Sequence, residues 1–319
     1  MKEKNLNKRH RRWKWTILFI GIALLSVWAV ISQNKNFSFK VFVDYILSAK
    51  PGWLVAACLS MVLFIVSEGW AITSISKAFN VKVKKGQGYF YSASDIYFSA
   101  ITPSATGGQP ASAYFMVKDG LPGSIVSLTL LFNLMMYTLT LVLLGILTII
   151  LFPSVFTHFG FLSKLVIIIG FLIQIIIVTF FLLILFKKEF LEKILKKIFK
   201  IGNRFHLLRN IEEKEKKLNK TMKEYGEYAE VMKKKKLVFL KAFLLNLLQR
   251  IAQIGVIVFV FLASGGIIKE LPNIIAIIIF TIIGAYCIPV PGGVGVTDYL
   301  MLDGFKSLMT LEAATHLEL

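Results

Sequence analysis

Long uncharged, apolar stretches dominate this chain and are separated by basic segments. About twenty consecutive apolar residues cross the hydrocarbon core of a bilayer as an α-helix. Suitable windows recur along the sequence, at Trp15–Asn34, Pro51–Ser67, Gly120–Ser163, Leu165–Phe186, Ile251–Ile268 and Leu271–Thr297. The pattern therefore predicts an all-α fold, a polytopic helical integral membrane protein with a single transmembrane domain over 1–319.

The first apolar window follows a basic N-terminal segment, an order that a cleavable secretory signal would also show. Residues 2–14 contain seven Lys or Arg and one Glu. The window itself contains Trp28 and has no small-x-small cleavage motif before Gln33. We interpret about 15–32 as an uncleaved first span.

Basic residues define the predicted topology, because Lys and Arg accumulate on the cytoplasmic side of membrane proteins. The N-terminus is then cytoplasmic, and so is a basic insertion at about 187–236, whose apolar residues recur at helical spacing. Further spans are predicted at about 52–76, 123–152, 164–186, 237–263 and 272–290. Since each span moves the chain to the other side of the membrane, counting the spans requires 86–122 to begin and end in the cytoplasm. A re-entrant hairpin satisfies this requirement, and two short crossings are the alternative.

The formal net charge of +19 would suit a nucleic-acid-binding protein, but these charges flank hydrophobic spans. Basic residues in that position attract anionic lipid headgroups. Cys58 and Cys287 lie within apolar spans, and the four histidines share no ligand spacing. The sequence therefore indicates no disulfide framework, metal site or cofactor, and no catalytic motif is visible.

Two Pro/Gly-rich breaks interrupt apolar sequence. The first, ITPSATGGQPASAYF at Ile101–Phe115, lies in an uncharged run long enough to span a bilayer, and the second is CIPVPGGVGVTDY at Cys287–Tyr299. Non-helical backbone at membrane depth is tolerated only within protein or along a polar cavity. Similar breaks in the two halves of a transporter often mark its binding site. We therefore predict two re-entrant, Pro/Gly-broken segments that enclose a polar cavity.

Ionisable residues within spans are costly and by default mark function. Glu68 lies in the second span, Arg250 lies near the start of the span after the insertion, and Asp298 follows the second break. A guanidinium binds phosphate bidentately and carboxylates pair with ammonium, so these residues suit a lipid headgroup. The alternative is that Arg250 only neutralises Glu68 or Asp298. Asp95 lies at the mouth of the first hairpin, where a solvated or capping role is expected.

Around the first break, Ser104 and Thr106 adjoin the free backbone N–H groups of Gly107 and Gly108, and these groups form a candidate anion nest. Gln109 and Gln253 add neutral hydrogen-bonding groups. Aromatic residues near the predicted interfaces are interpreted as membrane anchors: Trp70, Tyr89, Tyr91 and Tyr97.

The blocks ITPSATGGQPASAYFMVKDG and PVPGGVGVTDYL resemble the lysylphosphatidylglycerol synthase transmembrane family, also called flippase-like domain proteins. Asp298 stands where that family usually has Glu. The resemblance implies a multi-helix membrane domain with re-entrant segments, and it leads us to expect a final span after residue 319. The matching positions are Ser104, Thr106, Gly107, Gly108, Gln109, Pro110, Pro291, Gly292, Gly293, Gly295 and Asp298.

The sequence is compatible with three functions. The resemblance favours translocation of a phospholipid, anionic or aminoacylated, between the leaflets of a bacterial cell membrane, which in fused family members protects against cationic peptides. The alternative is a phosphatidylglycerol lysyltransferase, which would need aminoacyl-tRNA; fused members carry a soluble domain for that step. A small-solute exporter is a third class, and a homo-oligomer is compatible with each. The candidate cavity residues are Glu68, Ser104, Thr106, Gly107, Gly108, Gln109, Arg250, Gln253, Pro291, Gly292, Gly293 and Asp298.

Overall fold

The computed structural model describes residues 47–102, 107–187, 234–285 and 295–306, together with residues 190, 193 and 230. Regular structure in these ranges is helical, without strands. The helices are α1 Pro51–Ala78, α2 Gln87–Ile101, α3 Gly108–Lys118, α4 Gly123–Leu151, α5 Pro153–His158, α6 Phe161–Phe186, α7 Lys236–Ala263, α8 Leu271–Ala285 and α9 Val296–Phe305. A short 3₁₀ turn, Ile268–Glu270, precedes α8.

The all-α, multi-span prediction is confirmed. Five of the described segments are long and apolar enough to cross a membrane: α1, α4, α6, α7, and the 3₁₀ turn together with α8. Their bounds follow the predicted windows closely, although the described part of α8 ends at Ala285 rather than near 290. The predicted first span at about 15–32 and most of the insertion at about 187–236 lie outside the described residues.

Helices α1 and α7 lie antiparallel over their whole lengths. At one end the Lys50 backbone N–H donates to the Ala263 carbonyl at 3.0 Å. At the other end the Lys235 ammonium donates to the carbonyl of Ala78. Between these points the ring of Trp53 stacks on a phenylalanine of α7, with 5.7 Å between the ring centroids. These contacts make the two helices a paired scaffold.

Helices α2 and α3 form an antiparallel pair, as a hairpin across the first break requires. Gln87 at the start of α2 donates to Asp119 after α3 at 2.9 Å, and Tyr91 donates to the same carboxylate at 2.8 Å. At the other end the Gly107 N–H donates to Thr102 Oγ1 at 2.8 Å. The 15 and 11 residues of the two legs correspond to about 22 and about 17 Å at 1.5 Å per residue. Both lengths are below the thickness of a hydrocarbon core, about 30 Å.

Helices α8 and α9 form a second antiparallel pair. A Cβ added to Gly284 of α8 would lie 2.7 Å from a methyl carbon of Leu300, and one added to Gly304 of α9 would lie 2.6 Å from Ile277. Helix α8 is buried along most of its length and forms the centre of the largest apolar cluster. This second pair therefore packs more deeply in the protein than the first.

Asp303 of α9 binds the first turn of α6. Its Oδ2 accepts the Gly160 backbone N–H at 2.7 Å and the Ser163 hydroxyl at 2.6 Å, and Oδ1 pairs with Lys306 at 3.0 Å. A carboxylate there satisfies helix N-terminal amides that have no intrahelical acceptor. Burial alone would raise the pKa of Asp303, but the hydrogen bonds from Ser163, Gly160 and Lys306 outweigh it and hold that pKa below its ordinary value.

Two glycines bring α2 unusually close to α1. A Cβ placed on Gly88 would lie 2.4 Å from the carbonyl oxygen of Gly69 and 2.1 Å from Thr73 Oγ1. A Cβ on Gly69 would in turn lie 2.9 Å from the backbone of Gly88. Small residues at facing positions allow this backbone contact, as at many helix crossings in membranes. One turn further along α2, the same crossing brings Ser92 against Glu68.

Candidate functional site

A buried polar cluster lies where the α2–α3 pair meets the α1–α7 scaffold. Glu68 of α1 is 6 % exposed, and its Oε2 accepts the Ser92 hydroxyl of α2 at 2.7 Å. Arg250 of α7 is fully buried, and its positive charge acts on Glu68. The negative charge of Asp95 also acts on Glu68. Three helices, α1, α2 and α7, therefore bring three ionisable groups together.

Asp95 belongs to this cluster, contrary to the solvated or capping role expected from sequence. It is 8 % exposed; its Oδ1 accepts the Ser99 hydroxyl at 3.2 Å, and its Oδ2 accepts the Gln109 side-chain N–H at 3.1 Å. A Cβ on Gly108 would lie 2.2 Å from Asp95 Oδ1. The glycine of the first break therefore leaves room for this carboxylate, which crosses between the two legs of the hairpin.

Aromatic and amide groups surround Arg250 on the scaffold side. The guanidinium carbon lies 3.3 Å from the centroid of the Tyr137 ring on α4, a cation–π contact. One guanidinium nitrogen also donates to Oε1 of Gln253, one turn further along α7. Gln249, directly before Arg250, is also buried. These contacts hold the guanidinium plane in one orientation within the protein.

The second break contributes less to the described geometry. Asp298 is half-buried in the first turn of α9, and its Oδ2 accepts the Gly295 N–H at 2.9 Å, which caps that helix. Gly295 has φ 84°, a backbone conformation that favours glycine. Pro291, Gly292 and Gly293 lie outside the described residues, as do Ser104 and Thr106 of the first break.

The structure thus groups some predicted site residues. Glu68, Arg250 and Gln253 lie in or beside the buried cluster, and Gln109 reaches it through Asp95. Gly107 and Gly108 begin α3, where Gly107 donates to Thr102. Asp298 is placed at its own helix terminus. A role of these residues in binding a substrate stays a prediction.

Sequence reasoning missed three participants in the cluster: Ser92, Asp95 and Tyr137. A serine or tyrosine in an apolar helix carries no signal of its partner, because partners come from other helices. Tyr91, predicted as an interfacial anchor, is instead fully buried against Asp119, whereas Trp70, Tyr89 and Tyr97 are exposed. The spacing along α2 could have indicated that Ser92 and Asp95 belong to one site, because Ser92, Asp95 and Ser99 recur on one helical face.

In the described ranges, no group of three or more His, Cys, Asp or Glu side chains is arranged to hold a metal ion. The cluster itself offers hydrogen bonds and charge in a buried setting. Carboxylates, a guanidinium and amides together bind charged, zwitterionic groups.

These features define a class of protein: a polytopic helical membrane protein with a charged cluster buried between its helices. Over residues 16–317 the chain matches the family model described as lysylphosphatidylglycerol synthase TM region, and it belongs to that family. The resemblance noted in the two Pro/Gly-rich blocks is thereby confirmed. No curated protein and no solved structure matches the chain.

Proposed function

We propose that this protein binds a phospholipid and moves it between the leaflets of the cell membrane. The substrate is an anionic or aminoacylated phospholipid such as lysylphosphatidylglycerol. The observation that carries the proposal is the buried cluster of Glu68, Asp95 and Arg250, in a chain whose family is defined by a lipid. Buried ionisable groups in membrane proteins commonly mark substrate or ion pathways.

In this proposal the α2–α3 pair is a re-entrant hairpin, α9 folds back from the second break against α8, and the Pro/Gly-rich breaks border the headgroup path. The lengths of α2, α3 and α9 support this arrangement, since none of the three is long enough to cross a bilayer alone. Arg250 would bind the lipid phosphate, and Glu68 with Asp95 would face the amino group. Ser104, Thr106, Pro291, Gly292, Gly293 and Asp298 would line the path near the tips.

Reconstitution tests this function directly. Purified protein is placed in liposomes containing phosphatidylglycerol labelled on its headgroup, and a membrane-impermeant quencher is added outside. The wild type is expected to expose label from the inner leaflet to the quencher, whereas protein-free liposomes keep it protected. Label that stays protected with folded wild-type protein, for phosphatidylglycerol and for its lysyl derivative alike, would refute the proposal.

Variants connect the movement to the cluster. Arg250→Lys keeps the charge but loses bidentate phosphate binding. The rate of lipid transport should therefore fall by more than the loss of stability explains. Asp298→Asn tests the second break in the same way. Leu59→Ala is the matched control, because Leu59 is 63 % exposed on the scaffold helix α1. Equal rates for Arg250→Lys and the control would exclude headgroup binding by the guanidinium.

The description of the family favours a second candidate, phosphatidylglycerol lysyltransferase or a part of one. That activity transfers the lysyl group from charged tRNA to the glycerol headgroup. Incubating the purified chain with lysyl-tRNA and phosphatidylglycerol distinguishes the two functions, because only a synthase forms the lysyl ester. Product formation would establish the second candidate.

A further inference from the structure

The charges in the buried cluster do not balance. Among the described residues, two carboxylates, Glu68 and Asp95, face one guanidinium, Arg250, and the three groups carry a net charge of about −1 if all are ionised. The described residues of α3 and α4 that contact Asp95 and Arg250 include the neutral side chains of Gln109 and Tyr137. Burying an uncompensated charge is expensive, so the cluster is expected to bind one further positive charge.

The hydrogen bonds indicate which carboxylate takes that charge. Asp95 accepts an amide N–H from Gln109, a group that can only donate through its nitrogen. Glu68 contacts the Ser92 hydroxyl at 2.7 Å, and a hydroxyl can either donate or accept. Asp95 also contacts the Ser99 hydroxyl at 3.2 Å, so the difference between the two groups is the amide N–H that Asp95 accepts. That donor favours a carboxylate at Asp95, whereas the hydroxyl contact of Glu68 also accommodates a carboxylic acid.

A second observation concerns α3, the helix that carries Gln109. The Ser112 side chain is fully buried, and its Oγ has no hydrogen-bond partner among the described residues. Ser112 lies one helical turn from Gly108, which abuts Asp95, and one turn from Met116, which packs in the cluster containing Tyr91. Its hydroxyl therefore lies on the face of α3 that meets α2, where buried polar groups normally find a partner.

We propose that Glu68 holds a proton and that a positively charged group entering the cluster displaces it. In this exchange the O–H bond of Glu68 breaks, the proton leaves to water, and the resulting carboxylate pairs with the incoming cation. The identity of that cation rests on the proposed function: it is the ammonium of an aminoacylated headgroup. Lipid movement would then be coupled to a proton moving in the opposite direction.

Infrared spectroscopy of the full chain tests the proton site without any transport. Protonated carboxyl groups have a C=O stretch distinct from that of carboxylates. The wild type in phosphatidylcholine nanodiscs at neutral pH is expected to show this band, and Glu68→Gln is expected to lose it. Glutamine is isosteric with the protonated acid and keeps the contact with Ser92. Glu270→Gln, outside the cluster on the turn before α8, is the matched control and should retain the band.

Asp95→Asn gives an independent variant. Removing the charge of Asp95 leaves Arg250 to balance Glu68, so Glu68 should ionise and the band should disappear although Glu68 is intact. A wild type without the band, or a band that survives Glu68→Gln, would overturn the proton site. A band that persists in Asp95→Asn would contradict the charge balance behind it.

The exchange has its own readout. Adding lysylphosphatidylglycerol should release about one proton per chain, measured with a pH indicator in weak buffer, and should remove the band. Phosphatidylglycerol, which lacks the ammonium, should do neither. An unchanged band with the lysyl lipid would overturn the exchange. If the band behaves as expected but no lipid moves in liposomes, the proton site stands and the proposed function fails.

Discussion

Replacing Gly88 with alanine tests whether the α1–α2 crossing positions the cluster. The added Cβ would lie 2.4 Å from the Gly69 carbonyl oxygen, whereas ordinary contact begins at 3.4 Å. Since the obstacle is backbone, rotating a side chain cannot relieve it, and α2 must move by about 1 Å. That shift would lengthen the 2.7 Å contact between Ser92 and Glu68 beyond hydrogen-bonding distance.

Two opposing contributions set the expected loss of stability. Overpacking of this kind costs about 1–3 kcal/mol, and a rigid backbone obstacle falls near the upper value. Alanine in place of glycine within a helix returns about 1 kcal/mol. We therefore expect Gly88→Ala to lower the free energy of unfolding by about 2 kcal/mol, and to disturb the cluster by breaking the hydrogen bond to Glu68.

Denaturant unfolding in detergent, followed by the tryptophan signal, measures this loss. Gly52→Ala on the scaffold helix α1 is the control, because a Cβ there meets nothing within 4 Å. Combining Gly88→Ala with Thr73→Ala removes the contact with the Thr73 hydroxyl but leaves the carbonyl of Gly69, so most of the loss should remain. A Gly88→Ala protein as stable as the Gly52→Ala control would refute the close crossing.

Three further predictions concern contacts elsewhere in the fold. Asp303→Asn should destabilise the protein at neutral pH by about 1–3 kcal/mol, because it weakens the cap of α6. The pKa of Asp303 is lowered in the folded state, so its contribution to stability is complete above about pH 4 and is lost as the pH falls through the folded pKa. The difference in free energy of unfolding between wild type and Asp303→Asn should therefore be largest at neutral pH and vanish in acid. A double-mutant cycle on Asn133 and Asn246, whose side chains bond at 3.0 Å between α4 and α7, should give a coupling of about 0.6–1.7 kcal/mol, and no coupling would show that the bond contributes nothing. Tyr137→Leu should cost about 1–2 kcal/mol more than Tyr137→Phe in unfolding assays, because only phenylalanine keeps the ring under Arg250.

The membrane spans were predictable from sequence because they depend on composition alone. Long uncharged windows specify a helix in lipid, and the breaks at proline and glycine specify where it stops. The observed bounds of α4 and α7 accordingly fall within a few residues of the predicted ones. Helices α2 and α3, and likewise α8 and α9, pack as antiparallel pairs on the two sides of a break.

The composition of the cluster could be predicted only in part. Glu68 and Arg250 are conspicuous because charges are rare in spans, whereas Asp95 was assigned to an interface because it lies near a break. Asp95 is buried because α3 folds back over α2. This packing is not visible in the residues next to Asp95 in the sequence. The contact between Asp303 and Gly160 joins residues 143 positions apart, beyond any local pattern.

The cluster is divided between two parts of the fold that are held together differently. Glu68 and Arg250 belong to α1 and α7, which contact each other from Lys50 to Lys235. Asp95 belongs to the α2–α3 pair, which meets the scaffold at the close crossing of α1 and α2. A small displacement of that pair would therefore change the charge around Glu68 while leaving the scaffold intact. Movement of one hairpin against a fixed scaffold is the kind of rigid-body change by which transporters alternate access to a site. In this protein such a movement would also change whether Glu68 is ionised. The position of the hairpin and the binding of a cation would therefore be thermodynamically linked.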